Sequence, residues 1–257
     1  MMVLEGLAAG LETQLLAFFS ILVRISMILM LLPGIGDRVI PNSVKAAATI
    51  AITFFVYGIA AEPDFFVDRS ISFIAGQFVL EGATGLALGL MLRLVIFILS
   101  ITGALIAQSI SLSQYLGVTT NTDAQTIVSN ILTMTGTVIL LSADYHVEVV
   151  TQIARSYDVL NILKDGLPDV DLWAGKFFLA MEIAIALAWP FVVMSFLYYI
   201  CLGFVNKALP QLLVSFVGVP FILGMGLLML AILMSGLFDG WMAELFSVTE
   251  MFWSFGS

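Results

Sequence analysis

Charge is scarce in this sequence, and most of it is acidic. Only 11% of the 257 residues are Asp, Glu, Lys or Arg, and 18 acidic against 9 basic residues give a net charge of −9. Proteins that bind nucleic acid neutralise phosphates with clustered Lys and Arg. The sequence therefore excludes nucleic acid as a partner.

Cysteine and histidine are nearly absent. Cys201 and His146 are the single residues of their types, so no disulfide framework and no Cys/His metal set is available. The chain also lacks the second histidine of a zinc-protease helix, a G-x-S-x-G elbow, a P-loop and a dinucleotide-binding glycine motif. We predict no catalytic residue, no metal site and no cofactor. An intramembrane enzyme would need a nucleophile–base set, and none is visible.

Apolar side chains fill most of the chain instead. Hydrophobic residues make up 61% of the sequence and the mean hydropathy is +1.12, which exceeds what a water-soluble core requires. Glu5 and Glu12 replace the basic start of a cleaved signal peptide, so we expect the first apolar segment to be retained. The apolar runs are Gln14–Ile35, Val44–Ala61, Ile71–Leu112, Ile127–Ser142, Lys176–Leu209 and Gln211–Asp239.

These runs predict an all-α integral membrane protein built from kinked and broken helical hairpins. About 20 apolar residues cross the hydrocarbon core. Ile71–Leu112 is about twice that length, so we expect part of it to fold back or to stand outside the bilayer within an assembly. Pro190 and Pro220 lie inside the last two runs, where proline is expected to kink a helix.

Four charged residues interrupt the apolar runs: Arg24, Glu81, Arg93 and Glu182. An isolated charge in lipid is costly, so such residues usually face protein and pair. We predict that Glu81 and Arg93 contact other helices or subunits; a proton relay through Glu81 is the alternative. Gly85 and Gly89, four residues apart, favour the close approach of another helix.

The segment between Gln108 and Asn130 is polar but has a single charge, Asp123. A solvated connector usually carries more charge. Hydroxyl and amide side chains suit backbone that is buried in protein or lines a wet cavity at membrane depth. A plain short loop between two helices is the alternative interpretation.

Two further segments flank the last hairpin. Between Ser142 and Asp171, apolar residues at helical spacing predict an amphipathic surface helix with Val147 and Ile153 on its apolar face. Gly240–Ser257 is rich in aromatics, including Trp241, which often mark a membrane interface.

The tip of the hairpin between the last two runs carries one charge, Lys207. Pro210 holds Leu209 in extended geometry, so the tip should be rigid. Lys207, together with Arg38 and Lys45 in the first turn, favours a cytoplasmic side for both turns under the positive-inside rule.

Three motifs resemble the family of flagellar biosynthetic proteins FliR. The first is Arg24–Pro33 followed by Val39-Ile40-Pro41, and the second is Glu81–Gly89 leading to Gly103. The third is Gly203-Phe-Val-Asn206-Lys207-Ala-Leu-Pro210-Gln211, which is similar to the family's Asn-basic-x-x-Pro-Gln hairpin tip. The resemblance spans almost the whole chain.

The resemblance implies a membrane subunit of the flagellar type III protein export gate, present in one copy in a heteromeric helical assembly. It implies FliP and FliQ homologues as gate partners, an FlhB homologue as a contact, exported flagellar proteins in transit, membrane lipid as surroundings and the bacterial inner membrane at the flagellar basal body as location. It divides the single unit 1–257 into a FliP-like part, 1–172, and a FliQ-like hairpin with an aromatic tail, 173–257.

The resemblance also implies two functional segments. A loop plugs the closed pore near residues 108–126, although Gln108-Ser109-Ile110 replaces the Gln-Met-Gly of many relatives. The plug residues would be Gln108, Ser109, Ser111, Ser113, Gln114, Tyr115, Gly117, Thr119, Thr120, Asn121 and Thr122. A hairpin tip would contact the FlhB homologue through Asn206, Lys207, Pro210 and Gln211, with a simple turn as the alternative.

Two other functions compete with this one. An injectisome export subunit would carry similar motifs. A small-solute secondary transporter would place a site on broken helices at mid-membrane, but the two halves show no internal repeat and the runs contain few acids.

Overall fold

The computed structural model describes residues 2–37, 40–60, 70–110, 124–159, 170–208 and 214–254. These residues form helices, and no β-strand occurs among them. The helices are α1 (Met2–Leu31), α2 (Asn42–Ala60), α3 (Ile71–Ser109), α4 (Ala124–Ser142), α5 (Tyr145–Val159), α6 (Val170–Ala208) and α7 (Val214–Ser254).

In the described part of the chain, four stretches of helix are long and apolar enough to cross a membrane: Gly10–Leu31, Ile71–Ser109, Ala174–Ala208 and Pro220–Leu245. Helices α4 and α5 pass the same test together as one bent pair. In lipid a helix satisfies all of its own backbone hydrogen bonds, which is why apolar sequence of this length becomes helix. The predicted all-α integral membrane fold is confirmed.

Helix α3 is continuous over 39 residues. At 1.5 Å per residue it is about 58 Å long, roughly twice the 30 Å hydrocarbon core. Of the two alternatives predicted for this run, folding back is therefore wrong for Ile71–Ser109, because the helix is continuous there. That part of the run stands outside the bilayer within an assembly stays a prediction. Helices α6 and α7 likewise continue through Pro190 and Pro220.

The turn after α1 is set by glycine and aspartate. Gly34 adopts a positive φ of 86°, which glycine reaches without steric cost, and its N–H donates to Asp37 Oδ2 at 3.2 Å. The Lys45 ammonium, in the first turn of α2, donates to the Gly36 carbonyl at 2.9 Å. These bonds satisfy polar backbone groups of the turn itself.

The chain forms two compact units, each made of several segments. The first comprises Met1–Arg93, Leu140–Trp173 and Thr249–Ser257. Its core is a cluster of buried apolar side chains from α1, α2, α3 and α5. The buried members are Ile21, Ile25, Ile28, Leu29, Leu32, Val56, Leu88, Leu92, Val149, Ile153 and Ala154.

Helix α5 contributes an apolar face to that core, as its amphipathic sequence predicts. The predicted face is confirmed at Ile153, which is fully buried, and at Ala154, which is 9% exposed. It is wrong at Val147, which is 54% exposed, and Val149, at 3% exposed, is buried in its place.

The second unit comprises Leu94–Ile139 and Ala174–Val248. Trp241 of α7 is fully buried in it, and its indole N–H donates to the Val95 carbonyl of α3 at 2.9 Å. The interpretation of Trp241 as a membrane-interface residue is therefore wrong. The segment Gly240–Ser254 continues α7 and is not a separate tail.

Candidate functional site

The most deeply buried charges of the first unit form one ion pair. Arg24 lies about two turns before the end of α1 and Glu81 about three turns into α3, and Arg24 Nε donates to Glu81 Oε2 at 2.5 Å. Both side chains are 2% exposed. A buried charge is tolerated when it is paired and hydrogen-bonded. Each of these residues therefore explains the presence of the other in apolar sequence.

Tyr157 of α5 covers the other side of this ion pair. The guanidinium carbon of Arg24 lies 3.9 Å from the centre of the Tyr157 ring, a distance at which the ring attracts the cation. Burial raises the pKa of the Tyr157 hydroxyl, so this side chain stays neutral. Three helices, α1, α3 and α5, thus meet at one cation.

Glycines of α3 allow α1 to come close enough for the pair to form. A Cβ atom on Gly85 would overlap the Arg24 carbonyl oxygen, and one on Gly89 would lie 3.2 Å from Ile28 Cα. The predicted close approach of another helix at Gly85 and Gly89 is confirmed, and that helix is α1. Small residues are the usual means by which helices approach in membranes.

Arg93 pairs with Asp37 at the far end of the same unit. Arg93 Nη1 lies 3.2 Å from Asp37 Oδ1, and the side chains are 43% and 39% exposed. Asp37 thus binds both a guanidinium and the Gly34 N–H, which ties α3 to the turn after α1. A pair this exposed contributes about 0–1 kcal/mol. Its role is positional.

Glu182 differs from the other three charges. It lies on α6 in the second unit, and its side chain is exposed. Of the four charges that interrupt the apolar runs, Arg24, Glu81 and Arg93 are therefore joined to acids or bases of the same chain, whereas Glu182 lies on the surface of the chain.

In the second unit, close helix contacts hold the end of α3 where the polar segment begins. The Thr102 hydroxyl lies 2.8 Å from the Ile98 carbonyl of its own helix and 3.2 Å from the Ala184 carbonyl of α6. The Ser129 hydroxyl of α4 donates to the Ser100 carbonyl at 2.8 Å. A Cβ on Gly103 would overlap the Ser129 backbone. Small and hydroxyl side chains thus set the distances between α3, α4 and α6.

The predicted plug begins at this packed end of α3. Gln108 is exposed, and the hydroxyl of half-buried Ser109 donates to the Leu105 carbonyl at 2.8 Å. Ile110 is buried, with its side chain where a Cβ on Gly226 of α7 would be. The other plug residues lie outside the described residues: Ser111, Ser113, Gln114, Tyr115, Gly117, Thr119, Thr120, Asn121 and Thr122.

The predicted hairpin tip is described in part. Asn206 and Lys207 are exposed in the last turn of α6. A cation at this end of a helix is favoured by the helix dipole. Pro210 and Gln211 lie outside the described residues.

The sequence did not predict the contacts of three residues: Asp37 with Arg93, Tyr157 with Arg24, and buried Trp241 with the Val95 carbonyl. Asp37 stands in a polar turn and Tyr157 on an amphipathic helix, so composition gives neither a special role. Among the described residues, no group of three or more His, Cys, Asp or Glu side chains could hold a metal ion.

Comparisons with known proteins identify the family. The chain matches the model for bacterial export proteins, family 1, over residues 15–248. The flagellar biosynthetic protein FliR of Caulobacter vibrioides is 25% identical over 224 residues, which cover 85% of this chain and 88% of that protein. The FliR of Aquifex aeolicus is 27% identical over 222 residues, covering 85% and 83%.

A third relative, the FliR of Bacillus subtilis, is 26% identical over 234 residues, covering 86% of this chain and 87% of that protein. These alignments extend over most of this chain and most of each relative. Since the family model covers all but the ends of the sequence, the chain belongs to the family of bacterial export proteins, family 1.

Proposed function

We propose that this chain is a membrane subunit of a flagellar type III protein export gate, which helps to form and to plug the channel for flagellar axial proteins. The observation that carries the proposal is the family match over residues 15–248, together with three relatives named flagellar biosynthetic protein FliR. A membrane subunit needs helices that can cross a membrane, and the chain has apolar helices long enough to do so.

The proposed partners are FliP and FliQ homologues in the gate and an FlhB homologue beside it, with one copy of this chain per complex. In support, aromatic side chains are widely exposed on the chain: Phe54 is 65%, Phe196 is 64% and Phe204 is 71% exposed. Lipid or neighbouring subunits must cover such a surface, because exposed apolar area of this extent is not stable in water.

We further propose a structural rather than a catalytic role, in the inner membrane at the flagellar basal body. The two-part organisation, with a FliP-like part at 1–172 and a FliQ-like hairpin at 173–257, is part of this proposal. Two long helices, α6 and α7, make up the second part and are joined by a short connection. That arrangement suits a helical hairpin.

The plug is the most specific element of the proposal. The segment 108–126 follows a helix end held by α4, α6 and α7, and its composition is polar without the charge of a solvated loop. A segment with uncharged polar side chains at membrane depth is suited to be buried in protein or to line a water-filled cavity. A segment anchored at both ends by membrane helices is well placed to obstruct a pore.

Purification from native membranes tests the function. An affinity tag on this chain should recover FliP and FliQ homologues, with the tagged chain as the minority subunit at one copy per complex by quantitative mass spectrometry. A homo-oligomer or a lone monomer would instead indicate a secondary transporter. Recovery of virulence-system subunits and loss of effector secretion, with normal flagella in a deletion strain, would indicate an injectisome subunit.

A further inference from the structure

A groove lies between α1 and α2 in the first unit. Its α1 wall extends from Leu22 to Met30 and its α2 wall from Asn42 to Ile50, and its volume is about 360 Å³. That volume lies in the range of ligand pockets, ~300–1,000 Å³. At 1.5 Å per residue, the α1 wall is about 12 Å long. Volume divided by length gives the α1–α2 groove a mean cross-section of about 30 Å², or a width of roughly 6 Å.

The inside of the α1–α2 groove is apolar. Leu29 is buried in it, and the exposed side chains of Met30 and Ile50 stand at its edges. The two hydroxyls in the lining, Ser26 and Thr49, each donate to a carbonyl of their own helix at 2.8 Å. Bonding of this kind satisfies a hydroxyl within a helix, so neither side chain requires a polar ligand. This lining suits a hydrocarbon chain.

The end of the α1–α2 groove beside the turn Gly34–Asp37 is positive. The Lys45 ammonium donates to the Gly36 carbonyl of that turn at 2.9 Å, and Arg93 reaches the same turn through Asp37. Two cations thus face one carboxylate. Lys45 forms no ion pair with a residue that the structure describes, and two of its three N–H donors remain for a ligand. The first turn of α2 has no acidic residue, so the positive end of the helix dipole adds to this charge.

A cation at one end and apolar walls below it match the layout of a phospholipid. The groove length of about 12 Å is close to one leaflet, which is half of the ~30 Å hydrocarbon core. An α-helix with its side chains is about 10–12 Å wide, so a helix of a partner subunit does not enter the α1–α2 groove, whereas a single acyl chain does.

We propose that the α1–α2 groove binds one anionic phospholipid, with an acyl chain between α1 and α2 and the phosphate at Lys45. Basic pockets between membrane helices are typical sites for anionic lipid headgroups. This site differs from the general lipid surroundings of a membrane helix, because it selects the headgroup by charge. It does not depend on which protein the chain exports.

Native mass spectrometry of the purified protein, with the subunits that accompany it, tests the site. Phosphatidylglycerol and phosphatidylcholine with identical acyl chains are added separately to the delipidated complex. The complex should retain phosphatidylglycerol in preference to phosphatidylcholine. Lys45→Gln should reduce this preference about fivefold, because one Lys near an anionic lipid surface contributes roughly that factor. Equal retention of the two lipids by the unchanged protein would overturn the proposal.

A second variant tests the apolar part of the site without changing its charge. Ala46 lines the α1–α2 groove, so Ala46→Phe should fill it and reduce retention of phosphatidylglycerol. Ala47 is exposed on the same helix but does not line the groove, so Ala47→Phe is the matched control and should retain the lipid. Lys207→Gln removes an exposed cation outside the groove and should also retain it. The same loss in all four variants would contradict a site at this place.

A density map of the assembled complex in lipid decides the matter where a variant fails to assemble. Elongated density along the α1–α2 groove that ends within hydrogen-bond distance of Lys45 Nζ supports the proposal. A side chain of a partner subunit in the groove, or a groove without density, overturns it.

Discussion

Arg24 and Glu81 lie 57 residues apart in the sequence, yet Arg24 Nε and Glu81 Oε2 are 2.5 Å apart in a site that water does not reach. The pair binds α1 to α3, and Tyr157 places α5 over the cation. The lost hydration of the two charges offsets much of their attraction in the complete pair. Removal of one member is costly, because the other charge then stays buried alone.

Glu81→Leu should therefore impair folding and assembly. The expected loss is about 3–5 kcal/mol, measured as the yield and thermal stability of the complex recovered through a tag on this chain. Glu182→Leu is the matched control, since Glu182 is exposed on α6, and it should have little effect. Adding Arg24→Leu to Glu81→Leu should recover part of the loss, because no unpaired charge then remains.

Two outcomes would contradict this account. Normal assembly of Glu81→Leu would remove the structural role of the pair. Normal assembly with export lost only when the proton gradient is the energy source would favour the alternative, a proton relay through Glu81.

Hydropathy alone was enough to predict the membrane helices, because lipid forces apolar backbone to satisfy its own hydrogen bonds. Which helices contact each other was harder to predict. Gly85 and Gly89 indicated a close helix neighbour but not which helix, since every neighbour is apolar. The burial of Trp241 was missed because its surroundings, with Phe246 and Phe252, look the same in sequence whether the helix lies at an interface or inside the protein.

Gly85→Ala should destabilise the first unit. The new methyl group would overlap the Arg24 backbone, which cannot move aside as a flexible side chain can, and overpacking of this kind costs about 1–3 kcal/mol. Gly76→Ala lies on the same helix with nothing near its Cβ position, so it should be neutral or stabilising by up to about 1 kcal/mol. The melting temperature should thus fall for Gly85→Ala and stay the same or rise for Gly76→Ala, and equal losses would exclude close packing as the cause.

Trp241→Phe should weaken the second unit. The change removes the indole N–H that reaches the Val95 carbonyl, a bond worth about 0.5–1.5 kcal/mol, and the unfilled part of a fully buried volume adds to that loss. Trp189→Phe is the control, because Trp189 is 59% exposed. Thermal stability of the complex measures both, and a larger loss for Trp189→Phe would show that Trp241 is not a packing centre.

Deletion of Ser111–Thr120 should make cells permeable to small ions if this segment obstructs the pore. The expected result is a faster collapse of an imposed ion gradient, with a complex of normal composition. The same deletion in a strain without the FliP homologue should cause no leak, because no pore then forms. Normal permeability with normal assembly would leave the segment as a plain connection between α3 and α4.

Lys207→Glu should reduce export and crosslinking to the FlhB homologue, if the hairpin tip is a docking surface. Lys207 is exposed in the last turn of α6, and it is the one charge between two long apolar runs. A charge reversal there replaces attraction by repulsion across an interface. Such a change commonly lowers the rate of association and alters how that rate depends on salt concentration.

The structure offers a way to separate docking from effects on the helix itself. An anion at a helix C-terminus loses about 0.3–1 kcal/mol from the dipole, too little to unfold the hairpin. Lys207→Arg keeps the charge and should secrete normally, and Lys207→Met removes it and should be intermediate if charge mediates the contact. Secretion that falls from Arg to Met to Glu, at equal amounts of assembled complex, supports docking. Equal secretion and equal crosslinking in all three variants would mean that Lys207 takes part only in the turn.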